Sequence, residues 1–167
     1  MALSGLFRNR QKAATLTAIY ISVSAGEPMQ SVNSVTAIAG RGLDGDRYAG
    51  QKGFYKSVDS CEVTLITLEE IDRASRRAST GIQRIIANGG HRRNLVISGL
   101  DVKQLAGSSF AIGETILRYQ KPRPPCAYID RVSGQGMCKA LGKQSGACIE
   151  IVTGGLLSVG DKVRIIQ

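Results

Sequence analysis

Ser109-Phe110-Ala111-Ile112-Gly113-Glu114-Thr115-Ile116-Leu117-Arg118-Tyr119 runs straight into Gln120-Lys121-Pro122-Arg123-Pro124-Pro125-Cys126, and the reading of the fold turns on this stretch. Two short apolar runs on either side of Gly113 are too brief for helices and predict strands at Ser109–Ile112 and Thr115–Tyr119. Lys121 to Pro125 then holds three prolines, which lack a backbone N–H for a ladder, so this segment is expected as an extended loop rather than an interior strand. The same punctuation recurs outward. Ile19, Ile21 and Val23 alternate with Tyr20, Ser22 and Ser24, the period of a half-buried strand, before a Gly26-Glu27-Pro28 turn. Further strands are expected at Val32–Ala39, Cys61–Thr67, Asn94–Ile97, Ala147–Thr153 and Lys162–Ile166. Thr67 with Glu70 three residues on makes a capping box that opens a helix to about Ser79. Gly40 to Gly53 reads as a long functional loop. The pattern predicts a mainly β (α+β) fold, a closed or sandwich-like arrangement with one or two short helices. A flexible basic arm over residues 1–13 precedes one domain over 14–167.

Composition narrows the classes. The chain has 167 residues, 43% hydrophobic and 21% charged, which fits one globular domain and excludes wholesale disorder. Twenty-two Lys and Arg against thirteen Asp and Glu give a net charge of +9, which suggests an anionic partner without choosing one. A single His excludes any site that needs two imidazoles. No run reaches the ~18 apolar residues of a membrane span. Arg8, Arg10 and Lys12 ahead of Ala13–Val23 imitate a secretory leader, but the alternation within that stretch favours a strand, a cytoplasmic protein and reduced thiols.

Several motifs fail on their own mechanics. Gly40-Arg41-Gly42-Leu43-Asp44-Gly45 matches the dinucleotide fingerprint, yet Asp46 to Gly53 brings more glycines and no helical spacing to hold a pyrophosphate. A calcium loop from Asp44 would need Gly where Ala49 stands and a carboxylate where Tyr55 stands. Gly136 to Lys143 has five residues between its glycines where a phosphate loop has four. Arg73, Arg76 and Arg77 share a helix face that reads as solvated, and the case for nucleic acid rests on charge alone. His91, a lone His in a basic loop, reads as a surface residue.

The four cysteines form no metal-binding spacing. Cys61 and Cys148 sit in apolar strand contexts and read as buried, inert thiols. Cys138 lies in a Gly-rich loop, either incidental or a resolving thiol. Cys126 follows the proline run, with Arg118, Lys121, Arg123 and Arg131 nearby; cations favour thiolate, and prolines lower the entropy cost of ordering the sulfur. A reactive thiol and an inert loop cysteine among solvated cations stand side by side as readings of this local chemistry.

Taken in order, Gly42-Leu43-Asp44-Gly45-Asp46-Arg47-Tyr48-Ala49-Gly50, Val63 to Glu69, Arg93-Asn94-Leu95-Val96-Ile97-Ser98-Gly99-Leu100-Asp101, Leu105-Ala106-Gly107, Phe110 to Gly113, Pro125-Cys126 and Gly154 to Asp161 form a series. That series resembles the MOSC domain, named for the C-terminal part of molybdenum cofactor sulfurase, from about Thr17 to Ile166. The resemblance implies a distorted β-barrel of MOSC type and a molybdenum cofactor (molybdopterin) site. Cys126 would then be the catalytic residue, carrying sulfur as a persulfide or ligating molybdenum. It also implies sulfur transfer or reduction of N-oxygenated compounds, with an external sulfur or electron donor protein. Pyridoxal phosphate would belong to a separate partner, if to any. Two positions depart from the family pattern: Arg93 stands where an acidic residue often precedes Asn, and Tyr48 where His often follows Asp-Arg.

The pterin carries phosphate, so the expected cofactor-binding residues are Arg47, Arg92, Arg93, Arg118, Lys121 and Arg123, suited to charge-assisted phosphate contacts. Asp46 and Arg47 would shape the opposite wall, Asn94 would bond a polar edge of the ligand, and the loop glycines would let backbone N–H groups approach an anion. The competing reading is a non-catalytic basic module, binding nucleic acid or protein with a vestigial site. It predicts salt-sensitive polyanion binding that is indifferent to Cys126.

Overall fold

The computed structural model describes residues 13–54 and 61–166. The basic arm up to residue 12, and Tyr55 of the rejected calcium frame, lie outside the described residues. Strands are β1 (Thr15–Ile21), β2 (Gln30–Val32), β3 (Ser34–Ile38), β4 (Gly42–Leu43), β5 (Val63–Thr67), β6 (Leu95–Ser98), β7 (Ser109–Ile112), β8 (Thr115–Pro122), β9 (Ala147–Thr153), β10 (Gly155–Ser158) and β11 (Val163–Ile165). Helices are α1 (Leu68–Arg77), α2 (Thr80–Ala87), α3 (Val102–Leu105), α4 (Tyr128–Ser133) and α5 (Met137–Leu141).

Eight strands form one mixed sheet in the order β11-β7-β8-β9-β5-β6-β1-β2, and β10-β3-β4 form a smaller one. Only β5 and β6 pair in parallel among these ladders, as they must when α1 and α2 cross between them. Among the described residues no full ladder closes the large sheet. A single bridge, Thr15 to Lys162, with Leu16 N–H donating to Asp161 O at 2.9 Å and Val163 N–H to Ala14 O at 2.9 Å, ties the start of β1 to β11. The sheet therefore curls into a distorted, barrel-like form, with β2 as an edge beyond the seam.

Inside the curl lies an aliphatic core that includes Leu16, Ile19, Leu65, Phe110, Leu117 and Ile149. A bulge between Leu16 and Ala18 shifts the phase of β1, which is how residues three apart both point inward. A second cluster fills the space between the sheet's outer face and the helices, with Ile66, Val96, Ile82, Ile86, Met137 and Leu141. Strand β5 is buried throughout, because its alternate residues serve the two clusters.

Two local expectations change. Strand β8 runs on to Pro122, pairing with Ala147 of β9, although three prolines were expected to end it earlier. The ladder with β7 stops at Ser109 and Arg118, so by Pro122 the strand has a neighbour on one side only and its missing N–H costs nothing. The helices are also more numerous than the one or two expected. α1 carries the expected capping box between Thr67 and Glu70. α2 hid behind Gly81; Ser79 caps it, and it buries Ile82 and Ile86. α4 and α5 occupy the segment around Cys138 that read as loop.

Candidate functional site

Three stretches of backbone meet at one end of the barrel. The first is the exit from β8. Arg123 N–H donates to Gly146 O at 2.9 Å, and Arg123 O accepts from Arg93 Nη2 at 2.8 Å, so the proline run is pinned before it delivers Cys126 to the start of α4. The second is the loop after β4. Asp46 accepts from Ser22 N–H at 2.9 Å, Tyr48 N–H at 3.2 Å and Arg47 Nη1 at 3.1 Å, making it the post around which the loop is wound. The third is the turn from α2 into β6, His91 to Asn94.

These stretches enclose a cleft of about 340 Å3 lined by Arg47, Arg92, Arg93, Lys121, Arg123 and Cys126, together with Tyr48, Phe54 and Tyr128. Six of the residues expected at the site thus share one cleft. Cys126 is exposed at its rim. Arg47, Arg92 and Arg93 are only 5%, 8% and 5% exposed, which makes this a buried guanidinium cluster with the Asp46 carboxylate behind it.

Burying cations together is costly, and the cluster registers it. Burial holds the Arg93 guanidinium down at about 10, with Arg123 adding to the effect. Burial, then the nearby Arg47 charge, lowers Arg92 as well. Most of the N–H donors are satisfied by backbone carbonyls. Arg93 donates to Ser145 O at 2.9 Å and His91 O at 3.3 Å besides Arg123 O, Arg47 Nη2 donates to Arg92 O at 3.1 Å, and Arg92 Nη1 donates to Glu27 O at 2.8 Å. Arg92 Nη2 is the exception: it is buried and has no hydrogen-bond partner among the described residues.

The remaining expected residues lie elsewhere. Asp46 sits beneath the cleft. Asn94 is fully buried and spends its amide internally: Nδ2 donates to Tyr20 O at 3.0 Å, and Oδ1 accepts from Thr64 N–H at 3.1 Å and Thr64 Oγ1 at 2.9 Å. Arg118 stands outside the cleft, paired with Glu150 at 3.3 Å on the surface. In the loop itself the N–H groups of residues 46, 47, 48, 50, 51 and 52 bond within the loop or to Ser22 and Leu43, so these six are already spent.

His91 is a correction of another kind. It is buried, not on the surface, and desolvation, followed by the Arg93 charge, pushes its pKa down to about 3. The neutral ring accepts Arg93 N–H on Nδ1 at 3.0 Å and meets Tyr20 edge-on at 5.4 Å. Cys61 and Cys148 are buried, as their strand contexts suggested.

Of the three aromatics in the cleft, Tyr48 is the departing family position noted above, whereas Phe54 and Tyr128 had no expected role. Tyr48 lies under Arg47, 4.6 Å from its centroid, and its hydroxyl accepts from Arg123 Nη2 at 3.2 Å. Phe54 stacks on Tyr128 at 3.9 Å, and Arg131 covers Tyr128 at 5.4 Å. Tyr128 stands two residues after Cys126 in a chain with only 5% aromatics, and that position was the available signal.

A model of the MOSC domain matches residues 53–164, about two thirds of the sequence. The chain belongs to the MOSC domain family. The match begins after Asp46 and Arg47, so the family assignment rests on the segment that carries Arg93, Asn94 and Cys126. No curated protein matches. Among solved structures this MOSC protein is similar to the YuaD protein from Bacillus subtilis, with TM-score 0.71 and 18% identity over 92% of this chain and 95% of that one. It is also similar to YiiM from Geobacillus stearothermophilus, with TM-score 0.64 and 13% identity over 92% of this chain and 75% of the other. For YiiM from Escherichia coli the TM-score is 0.61, with 18% identity over 90% and 70%. At these identities the likeness is one of fold. Among the described residues no helix is long and apolar enough to cross a membrane, and no three His, Cys, Asp or Glu side chains are grouped to hold a metal ion.

Proposed function

We propose that this MOSC protein binds the molybdenum cofactor in the Cys126 cleft, with the Cys126 sulfur as the protein's ligand to the metal and the arginine cluster holding the phosphate. One observation carries the reading: an exposed thiol and a buried guanidinium cluster line the same cleft, and Arg92 Nη2 there lacks an acceptor. A buried donor left unpaired costs ~1–3 kcal/mol, more when charged, and a phosphate oxygen would restore it. The donor set fits in a second way. A pterin dithiolene brings its own two sulfurs, so one soft thiolate from the protein suffices where the described residues group no three metal-ligating side chains.

When bound, the cofactor would supply two-electron redox chemistry or a site of sulfur exchange. The chain's own residues would do the rest. Arg47 and Arg92 would neutralise and orient the phosphate through charge-assisted bonds. Arg93, whose donors are spent on three carbonyls, would fix the walls rather than grip the ligand. Tyr48 oxygen accepts from Arg123, which leaves its own proton to be donated into the cleft. Cys126 at the rim is where a separate protein could deliver electrons or sulfur.

The experiment is molybdenum and pterin content per protein after anaerobic purification from a host that makes the cofactor, for wild type and Cys126→Ser. Wild type is expected near one molybdenum per chain, and the variant at background. Absence of cofactor from both, with polyanion binding that weakens steeply in salt and ignores Cys126, would replace this reading with that of a basic binding module.

A further inference from the structure

Cys138, which the cofactor reading leaves unused, shares a corner of the fold with Cys126. Residue 126 already belongs to the turn that opens α4, because Cys126 O accepts from Ile129 N–H at 3.0 Å. Ile129 and Asp130, three and four residues on, therefore stand on the helix face that Cys126 begins. Both of them engage Cys138 or its surroundings. Asp130 Oδ1 accepts from Cys138 N–H at 2.7 Å and its Oδ2 from Gln135 Nε2 at 3.4 Å, so one carboxylate straps the start of α5 onto α4. Ile129 and Cys138 pack in the same apolar cluster between helices and sheet. The sulfurs also feel each other: burial, then the Asp130 carboxylate and the Cys126 thiolate, raise the Cys138 thiol above its ordinary range.

The two thiols differ in what reaches them. Cys126 is exposed at the rim of the cleft, and Cys138 is half-buried behind it. An oxidant from solvent meets Cys126 first, with a second sulfur in reserve, which is the order of a redox-sensing pair. The turn between the helices has Gly134 at φ of 118° and Gly136 at 98°, which gives the pair the play that disulfide geometry demands. The other two cysteines are buried in the barrel wall. There Cys61 Sγ donates to Val63 O at 3.4 Å and Cys148 Sγ accepts from Arg123 Nη1 at 3.7 Å.

We infer that Cys138 is the resolving thiol of Cys126: oxidation of Cys126 by a hydroperoxide ends in a Cys126–Cys138 disulfide, which withdraws Cys126 from the cleft and guards it against irreversible oxidation. In the first step the Cys126 thiolate attacks the peroxide, the O–O bond breaks, and an alcohol or water leaves with a sulfenic acid on Cys126. In the second the Cys138 sulfur attacks that sulfenic sulfur, the S–O bond breaks, and hydroxide leaves as water with the Cys138 proton. Two thiols are oxidised and one peroxide bond is reduced, so two electrons balance. The inference concerns the same thiol as the cofactor reading without resting on it, since the metal-free chain carries both sulfurs.

The test is peroxide treatment of reduced protein from a host that lacks the cofactor, followed by alkylation, intact mass and tryptic mapping. Trypsin cuts at Arg131, between the two cysteines. Wild type is expected to lose about 2 Da, to yield a linked pair of peptides carrying Cys126 and Cys138, and to return to thiol with dithiothreitol. Cys138→Ser and Cys138→Ala are expected to form no link and to accumulate sulfinic acid on Cys126, about 32 Da heavier, on the order of tenfold above wild type. Equal sulfinic acid in wild type and variants would overturn the inference. So would linkage of Cys126 to Cys61, to Cys148 or to a second chain. From a host that makes the cofactor, Cys138→Ser is expected to carry molybdenum at the wild-type level. No molybdenum in either, with the linkage formed in wild type, would count against the cofactor reading and leave the resolving role standing.

Discussion

Acid should loosen this protein through one residue, His91, and the size of the effect follows from its burial. Its pKa is about 3 in the fold, against about 6.5 in an unfolded chain. Between those values the unfolded state binds a proton that the native state refuses, so stability rises with pH across that window and is flat above it. From pH 7.5 to 4.5 the unfolded chain gains RT ln(1 + 10^2), so the native state loses ~2.7 kcal/mol from this group alone. That is a sizeable part of the ~5–15 kcal/mol that holds a domain together. Burial pushes the Glu62 and Glu70 carboxyls up, and these work the opposite way, favouring the fold as pH falls. The comparison with His91→Asn cancels them: asparagine keeps an acceptor for Arg93 N–H but has no proton to gain. Urea unfolding at pH 4.5, 5.5, 6.5 and 7.5 should show wild type falling more steeply than the variant below pH 6.5, by roughly 2–3 kcal/mol at the acid end. Parallel curves would refute the reasoning, because they would mean that His91 titrates normally in the fold. The consequence reaches the cleft, since the turn that holds neutral His91 also holds Arg92 and Arg93.

Asn94→Ala should cost roughly 2–4 kcal/mol in urea unfolding, because it strips the partners from buried Thr64 and from Tyr20 O together. Arg118→Ala should change stability by less than ~1 kcal/mol and leave molybdenum content at the wild-type level, since its pair with Glu150 is a surface one; a loss of cofactor would return Arg118 to the site. Gly146→Ala should lower the melting temperature by several degrees, on the order of 2 kcal/mol or more. The backbone there has φ of 101°, and a methyl would run into the Leu65 carbonyl.

How much of this was legible in the sequence depends on which physical term decided each residue. The strands were readable because Ser109 to Tyr119 and Ala147 to Thr153 are too short and too apolar to be anything else, and the Thr67–Glu70 box marks a helix start by local hydrogen bonding alone. Strand β8 overran its expected end because edge status at Pro122 is a property of the neighbouring β7, which no local rule sees. For the same reason His91 looked like a surface residue: nothing in Gly89-Gly90-His91-Arg92-Arg93 says that Tyr20, from a strand seventy residues earlier, will close over it. The arginines illustrate the limit most clearly. The resemblance to a family with a phosphate-bearing cofactor grouped Arg47, Arg92, Arg93, Arg118, Lys121 and Arg123 together, and five of the six line the cleft. Yet Arg93 has its donors consumed by carbonyls, Arg118 faces Glu150, and Arg92 retains an unspent nitrogen. A sequence lists cations, but the count of carbonyls within reach decides which one is left to hold a ligand. Here Arg92 Nη2 is a buried guanidinium nitrogen of the cleft that no carbonyl among the described residues takes up.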